Sequence, residues 1–188
     1  MRNFASLFTS SSRELKQIRT VTVCAMLAAV SIVLGAFTIY LTDTVRIGFS
    51  GTPTMLASYL FGPVAGSFLY GAVDILKYMM RPVGGFMPGL TMVVMLKGLI
   101  YGCAFYKKPL NLWRVLAAHL VVAVVCNLFL NTLCLSMLYG KGFLALLVPR
   151  IMRNIIMWPI DSIIFYNVAK ALEVTGVFRV IGKSRMAA

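Results

Sequence analysis

Acidic residues are nearly missing from this chain: five of its 188 residues are Asp or Glu, against 18 Lys or Arg. Only 12% of residues are charged, about half the roughly 25% of a soluble domain, which argues against a water-exposed globular surface. Histidine occurs once, at His119, and the four cysteines (Cys24, Cys103, Cys126, Cys134) lie in apolar stretches without a CxxC. That spacing argues against a metal site or a disulfide framework. There is no G-x-x-x-x-G-K-[ST] loop, which removes that route to ATP. No nucleophile–base pair is recognisable, so nothing marks an enzyme, and no acidic relay suggests a proton-driven cycle. No Pro/Ser/Gly-rich linker divides the chain, and no internal repeat supports the inverted-repeat plan of many secondary transporters.

What is present is apolar sequence, 60% of the chain, in five blocks: 20–41, 52–80, 88–106, 112–139 and 143–172. A membrane span takes about 20 residues, so the reading is an all-α membrane protein. The net charge of +13 would suit nucleic acid, but the basic residues lie between the spans, as the positive-inside rule describes. Residues 1–19 are basic and mildly amphipathic without a signal-peptide pattern, which predicts a cytoplasmic surface segment. Residues 20–175 form the membrane domain and 176–188 a basic cytoplasmic tail.

The second block is one long helix or a hairpin turning at Gly62-Pro63, and charge decides between them. With the turn, Lys107, Lys108, Arg114, Arg179, Lys183 and Arg185 join Arg2, Arg13, Lys16 and Arg19 on the cytoplasmic side, ten residues in all. Arg46, Lys77, Arg81 and Lys141 are left near the outer face. The expectation is therefore a six-transmembrane-helix bundle with both termini cytoplasmic. The weak point is the stretch 52–61, which rises only about 15 Å as a helix.

Polar groups embedded in the apolar blocks mark the site. A charge at bilayer depth costs at least about 2.5–3.5 kcal/mol, so Arg150 and Arg153 need a compensating role. Asn127 and Asn131 share a face, as do Arg150, Asn154 and Trp158. Lys97 falls at a similar depth, and Asp74 and Tyr78 mark the outer end of the third helix. Two outer loops carry flexible glycines beside a phenylalanine: Gly48, Phe49 and Gly51 in one, Gly84, Gly85, Phe86 and Pro88 in the other. The cationic excess (Arg46, Lys97, Arg150, Arg153 against Asp74) predicts an anionic ligand with an aromatic body. A packed or interfacial role is expected for His119. Ala25 and Ala29, with Ala28 nearby, give the first helix a small-residue face for another helix.

The chain resembles the substrate-binding (S) components of energy-coupling factor (ECF) transporters, and most closely the folate branch. The resemblance is carried by Ala25-x-x-x-Ala29, RIGFSGTP (46–53), LFGPVAG (60–66), FMPG (86–89) with Lys97-Gly98 and Tyr101-Gly102, and above all residues 127–160. Lys97 stands where the family allows arginine. The resemblance implies a bacterial plasma-membrane subunit that captures folate from outside and carries no ATPase or resident cofactor of its own. It also implies a transmembrane coupling subunit, met through Ala25, Ala28 and Ala29, and two ATP-binding cassette ATPases. The expected allocation stacks the pterin on Phe49, Phe86, Tyr78 or Trp158, with Asn131, Asn154 or Asp74 at its edge. Arg46, Lys97 and Arg150 would meet the glutamate tail, and Gly48, Gly51, Gly84, Gly85 and Pro88 would serve gating loops. An S component for riboflavin, thiamine or pantothenate, or a self-sufficient small carrier, is the alternative.

Overall fold

The computed structural model describes residues 11, 17–37, 39–40, 46–47, 50–80, 82, 85, 87–106, 108, 110–140 and 142–175. The chain runs through α1 (Ile18–Ala36), a two-stranded antiparallel ribbon of β1 (Ile39–Tyr40) and β2 (Arg46–Ile47), α2 (Gly51–Met80) and α3 (Pro88–Phe105). It continues as α4 (Leu112–Val121), a π-helical segment (Val122–Leu130), α5 (Asn131–Tyr139) and α6 (Phe143–Val174). Five helical stretches among the described residues are long and apolar enough to cross a membrane: α1, α2, α3, the run Leu112–Leu138, and Leu147–Val174 within α6. Their outward faces carry bare apolar side chains such as Met26, Val33, Phe68, Met92, Phe129 and Ile155, the pattern of a lipid-facing surface.

α2 is helical in pitch but not straight. Gly62 takes φ 89° and ψ −171°, a conformation closed to residues with a side chain, and Pro63 follows it. Eight residues of straight helix would separate Ser58 from Gly66 by about 12 Å. Instead a Cβ placed on Gly66 would lie 2.9 Å from the Ser58 Cα, so the chain doubles back at Gly62. The break frees backbone groups, and the buried Ser11 hydroxyl meets them. It donates to the Phe61 carbonyl (2.7 Å) and accepts from the amides of Val64 (3.1 Å) and Ala65 (3.3 Å).

The second half of α2 runs antiparallel to α3 along a glycine seam. Gly62 and Gly66 face Gly98 and Gly102, two GxxxG pairs laid against each other. A Cβ on Gly98 would come 2.8 Å from the Gly66 carbonyl oxygen, and one on Gly102 2.8 Å from the Gly62 carbonyl carbon. Further along, Met95 fills the space beside Gly71, and Thr91 Oγ1 donates to Asp74 at 3.0 Å. On the other side of α2, Phe61, Ala65, Leu69 and Val73 pack against Cys24, Leu27, Ala28 and Ile32 of α1. Lys77 lays its stem on Gly35 and donates to Ser31 Oγ (3.0 Å), which donates to the Ser50 carbonyl (2.6 Å).

A column of rings joins this half to the other. Tyr101 stacks on Tyr70 (6.3 Å between centroids) and on Phe105 (5.9 Å), and Phe105 stacks on Phe165 of α6 (5.3 Å). His119 meets Tyr101 edge-on at 5.3 Å. Asn111 caps α4 by accepting from the Trp113 amide at 3.4 Å. The left-handed Gly140 (φ 62°) ends α5 and turns the chain into α6.

Candidate functional site

Between the ring column and α6 the bundle does not close. A cavity of about 330 Å³ remains, near the lower end of the range for small-molecule sites. α6 supplies its longest wall because Arg150, Asn154, Trp158 and Asp161 follow one another at spacings of four, four and three, one face of a helix. The facing wall comes from the π-helical segment and the residue after it, through Val122, Ala123, Asn127 and Asn131. α3 contributes Lys97 and Tyr101, α2 contributes Tyr70 and Met55, and the start of α2 closes one end with Ser50, Gly51 and Thr52.

The π-helical turn has a direct consequence for Arg150. With the Asn131 amide bonded five residues back to the Cys126 carbonyl, the neighbouring carbonyls are offset from ordinary helical partners. The Asn127 carbonyl accepts from Thr132 Oγ1 and from Arg150 Nη1, both at 3.4 Å, and Arg150 Nη1 lies 3.3 Å from Thr132 Oγ1. One guanidinium nitrogen is thus held by the wall. Asn127 Nδ2 donates to Asn154 Oδ1 (3.4 Å), tying the two walls together. Trp158 is fixed by its Nε1, which donates to the Leu116 carbonyl at 2.9 Å. Ser162 donates to the Trp158 carbonyl (2.7 Å) and lies 3.0 Å from His119 Nδ1.

Lys97, Asn131 and Asp161 also line the cavity. Three cations (Lys97, Arg150, Arg153) face one carboxylate (Asp161), so the lining favours an anion but also offers a strong acceptor. Charges at bilayer depth that line a hollow mark it as a candidate binding site.

Of the residues singled out from the sequence, Lys97, Asn127, Asn131, Arg150, Arg153, Asn154, Trp158 and Gly51 line this cavity. Asp74 and Tyr78 do not: Asp74 faces α3 and accepts from Thr91. Gly85 and Pro88 lie exposed outside the cavity, at the approach to α3. Arg46 is placed by its backbone in β2, while Gly48, Phe49, Gly84 and Phe86 lie outside the described residues. On α1, Ala25 and Ala29 are exposed and Ala28 packs inward against α2. His119 is packed, 7% exposed, yet its ring also forms part of the wall. Asp161, Tyr70 and Tyr101 were absent from the sequence-based set. Asp161 had a signal, since eleven residues from Arg150 is three turns and the same face.

Residues 19–169 match the family described as the substrate-specific component of ECF transporters. A folate transporter FolT of Clostridium novyi (strain NT) is 31% identical over 169 residues, 90% of this chain and 98% of that protein. The folate transporter FolT of Leuconostoc mesenteroides subsp. mesenteroides is 31% identical over 148 residues, 76% of this chain and 80% of that protein. Among solved structures, a crystal structure of FolT bound with folic acid superposes with a TM-score of 0.75 at 32% identity, covering 82% of this chain and 95% of that one. The chain belongs to the family of substrate-specific (S) components of ECF transporters.

Proposed function

We propose that this chain is the folate-binding subunit of an ATP-driven vitamin uptake transporter, holding its ligand in the α3–α6 cavity. The observation that carries the reading is a membrane-embedded hollow lined by Lys97, Arg150 and Arg153 beside Tyr70, Tyr101 and Trp158. Folate is a flat ring system joined to a dicarboxylate, and this lining offers rings and cations in one enclosure. FolT relatives across nearly the whole chain support the choice of ligand.

The subunit lies in the plasma membrane with six spanning segments and both termini cytoplasmic. The reversal at Gly62 supports six segments, and the placement of basic residues supports the orientation. Residues 1–19 and 176–188 are its cytoplasmic ends. No nucleotide-binding loop is present in the sequence, so transport takes its energy from a coupling subunit and two ATP-binding cassette ATPases. The exposed Ala25/Ala29 face of α1 is the contact surface for the coupling subunit, small enough for close helix approach.

Titration of the purified protein with folate, riboflavin, thiamine and pantothenate, read by tryptophan fluorescence, tests the ligand. Trp158 in the cavity wall should respond to folate at the lowest concentration, whereas Trp113 is exposed and outside the cavity lining. Tighter binding of any of the other three overturns the folate assignment.

A further inference from the structure

The reversal at Gly62 brings both ends of α2 to the same end of the bundle, and Lys77 connects them through α1. Lys77 stands one turn before Met80, the last residue of α2, where a lysine stem ordinarily reaches outward to the membrane surface. It turns inward instead. Its Cε lies 3.1 Å from where a Cβ on Gly35 would be, and its Nζ donates to Ser31 Oγ at 3.0 Å. Ser31 and Gly35 are four residues apart on α1, so one face of that helix supplies both the seat for the stem and the acceptor for its head. Asp74, one turn earlier on α2, goes the other way, to Thr91 of α3.

Ser31 is fully buried and passes the contact on, its hydroxyl donating to the Ser50 carbonyl at a short 2.6 Å. An ammonium that donates to a hydroxyl polarises it, which strengthens the bond the hydroxyl donates in turn. Ser50 opens α2 three residues after β2 and, with Gly51 and Thr52, closes one end of the cavity. Lys77 and Ser31 are not among the described residues of the lining, so they act on the hollow through the Ser50 backbone. Drawing an ammonium away from nearby water is unfavourable unless its new bonds compensate, and here those bonds run to the cavity wall.

We propose that Lys77, acting through Ser31, is a positioning residue that fixes the Ser50–Thr52 end wall, so that ligand retention depends on a cation that never touches ligand. The inference rests on the reading of this cavity as the binding site. Two substitutions on different helices break the same relay. Lys77→Met keeps most of the stem on Gly35 and removes the donor. Ser31→Ala removes the hydroxyl in the middle and leaves the lysine without its acceptor. If the three groups act as one chain, the second substitution adds little once the first is made.

The end wall can be read without ligand. In purified full-length protein with its four native cysteines replaced by alanine, Ser50→Cys is labelled with a water-soluble maleimide and the rate measured. Ser50 enters the relay through its carbonyl, which that substitution leaves in place. Lys77→Met and Ser31→Ala should each raise the labelling rate about fivefold, the scale of one lost hydrogen bond. The two combined should exceed either alone by less than about twofold. In protein that keeps Ser50, release of bound folate should quicken by a similar factor while its association rate changes little. A simple brace between α1 and α2 would lower the melting temperature and leave labelling at position 50 unchanged, and that result overturns the proposal, as do fully multiplicative effects of the two substitutions. Should Lys77→Met fail to fold, Ser31→Ala, the smaller change, decides on the same readout. Faster labelling in a protein that binds no folate supports the relay and refutes the ligand reading, so the two failures are distinct.

Discussion

The two halves of this bundle associate by opposite means. Along α2 and α3, backbones touch through Gly62, Gly66, Gly98 and Gly102, and no room is left for a methyl group. Between α3, the π-helical segment and α6, polar side chains make the links instead, Asn127 to Asn154 and Arg150 to the Asn127 carbonyl, and with Lys97 and Asn131 they surround a hollow. In lipid, helices gain nothing from the hydrophobic effect when they associate, so close van der Waals contact and polar bonds are the available means. The glycine seam spends its contacts on rigidity. The polar half lines a hollow with donors and acceptors, which is what a ligand requires.

If that division is right, substitutions should sort by half. The largest effect is expected at Gly102→Val: its side chain would enter the Gly62–Pro63 backbone, which cannot move aside. The loss should exceed about 3 kcal/mol, seen as a collapse of thermal stability in detergent. Wild-type stability would show that the seam is not tight. Next, Ala25→Trp on the exposed face of α1 should abolish uptake by the assembled transporter while folate binding stays intact, measured by vesicle uptake beside ligand titration. Persistent uptake would move the coupling face elsewhere.

Inside the cavity, Arg150→Ala should weaken folate binding by about 1.5–3 kcal/mol, the scale of a charge-assisted contact. Thr132→Val should cost less, about 1 kcal/mol of binding, because it only removes the hydroxyl that steadies Arg150. Thr132→Ser should restore it. The smallest effect belongs to Asp74→Asn, under about 0.5 kcal/mol on folate affinity, since Asp74 serves Thr91 and lies outside the cavity.

Much of this was legible in the chain because lipid leaves few options. The apolar blocks, the Gly-Pro corner at position 62 and the Arg150–Asn154–Trp158 face follow from length, backbone chemistry and helical period. Asp74 and Asp161 show where such reading stops. Both are lone acids in apolar sequence, and depth along the membrane does not say which way a side chain points. Asp74 turns to Thr91 across the glycine seam, whereas Asp161 turns to the cavity. The seam itself went unread, since each GxxxG pair is informative only once its partner is known. The π-helical segment at Val122–Leu130 was equally silent, because a bond five residues back instead of four leaves no compositional trace.

The sharpest measurement sets the two halves side by side: equilibrium titration of folate against purified wild type, Arg150→Ala and Asp74→Asn. Loss of affinity in Arg150→Ala with wild-type affinity in Asp74→Asn is the predicted result. Equal affinities in all three proteins, or a larger loss at Asp74, would contradict the assignment of the α3–α6 cavity as the binding site.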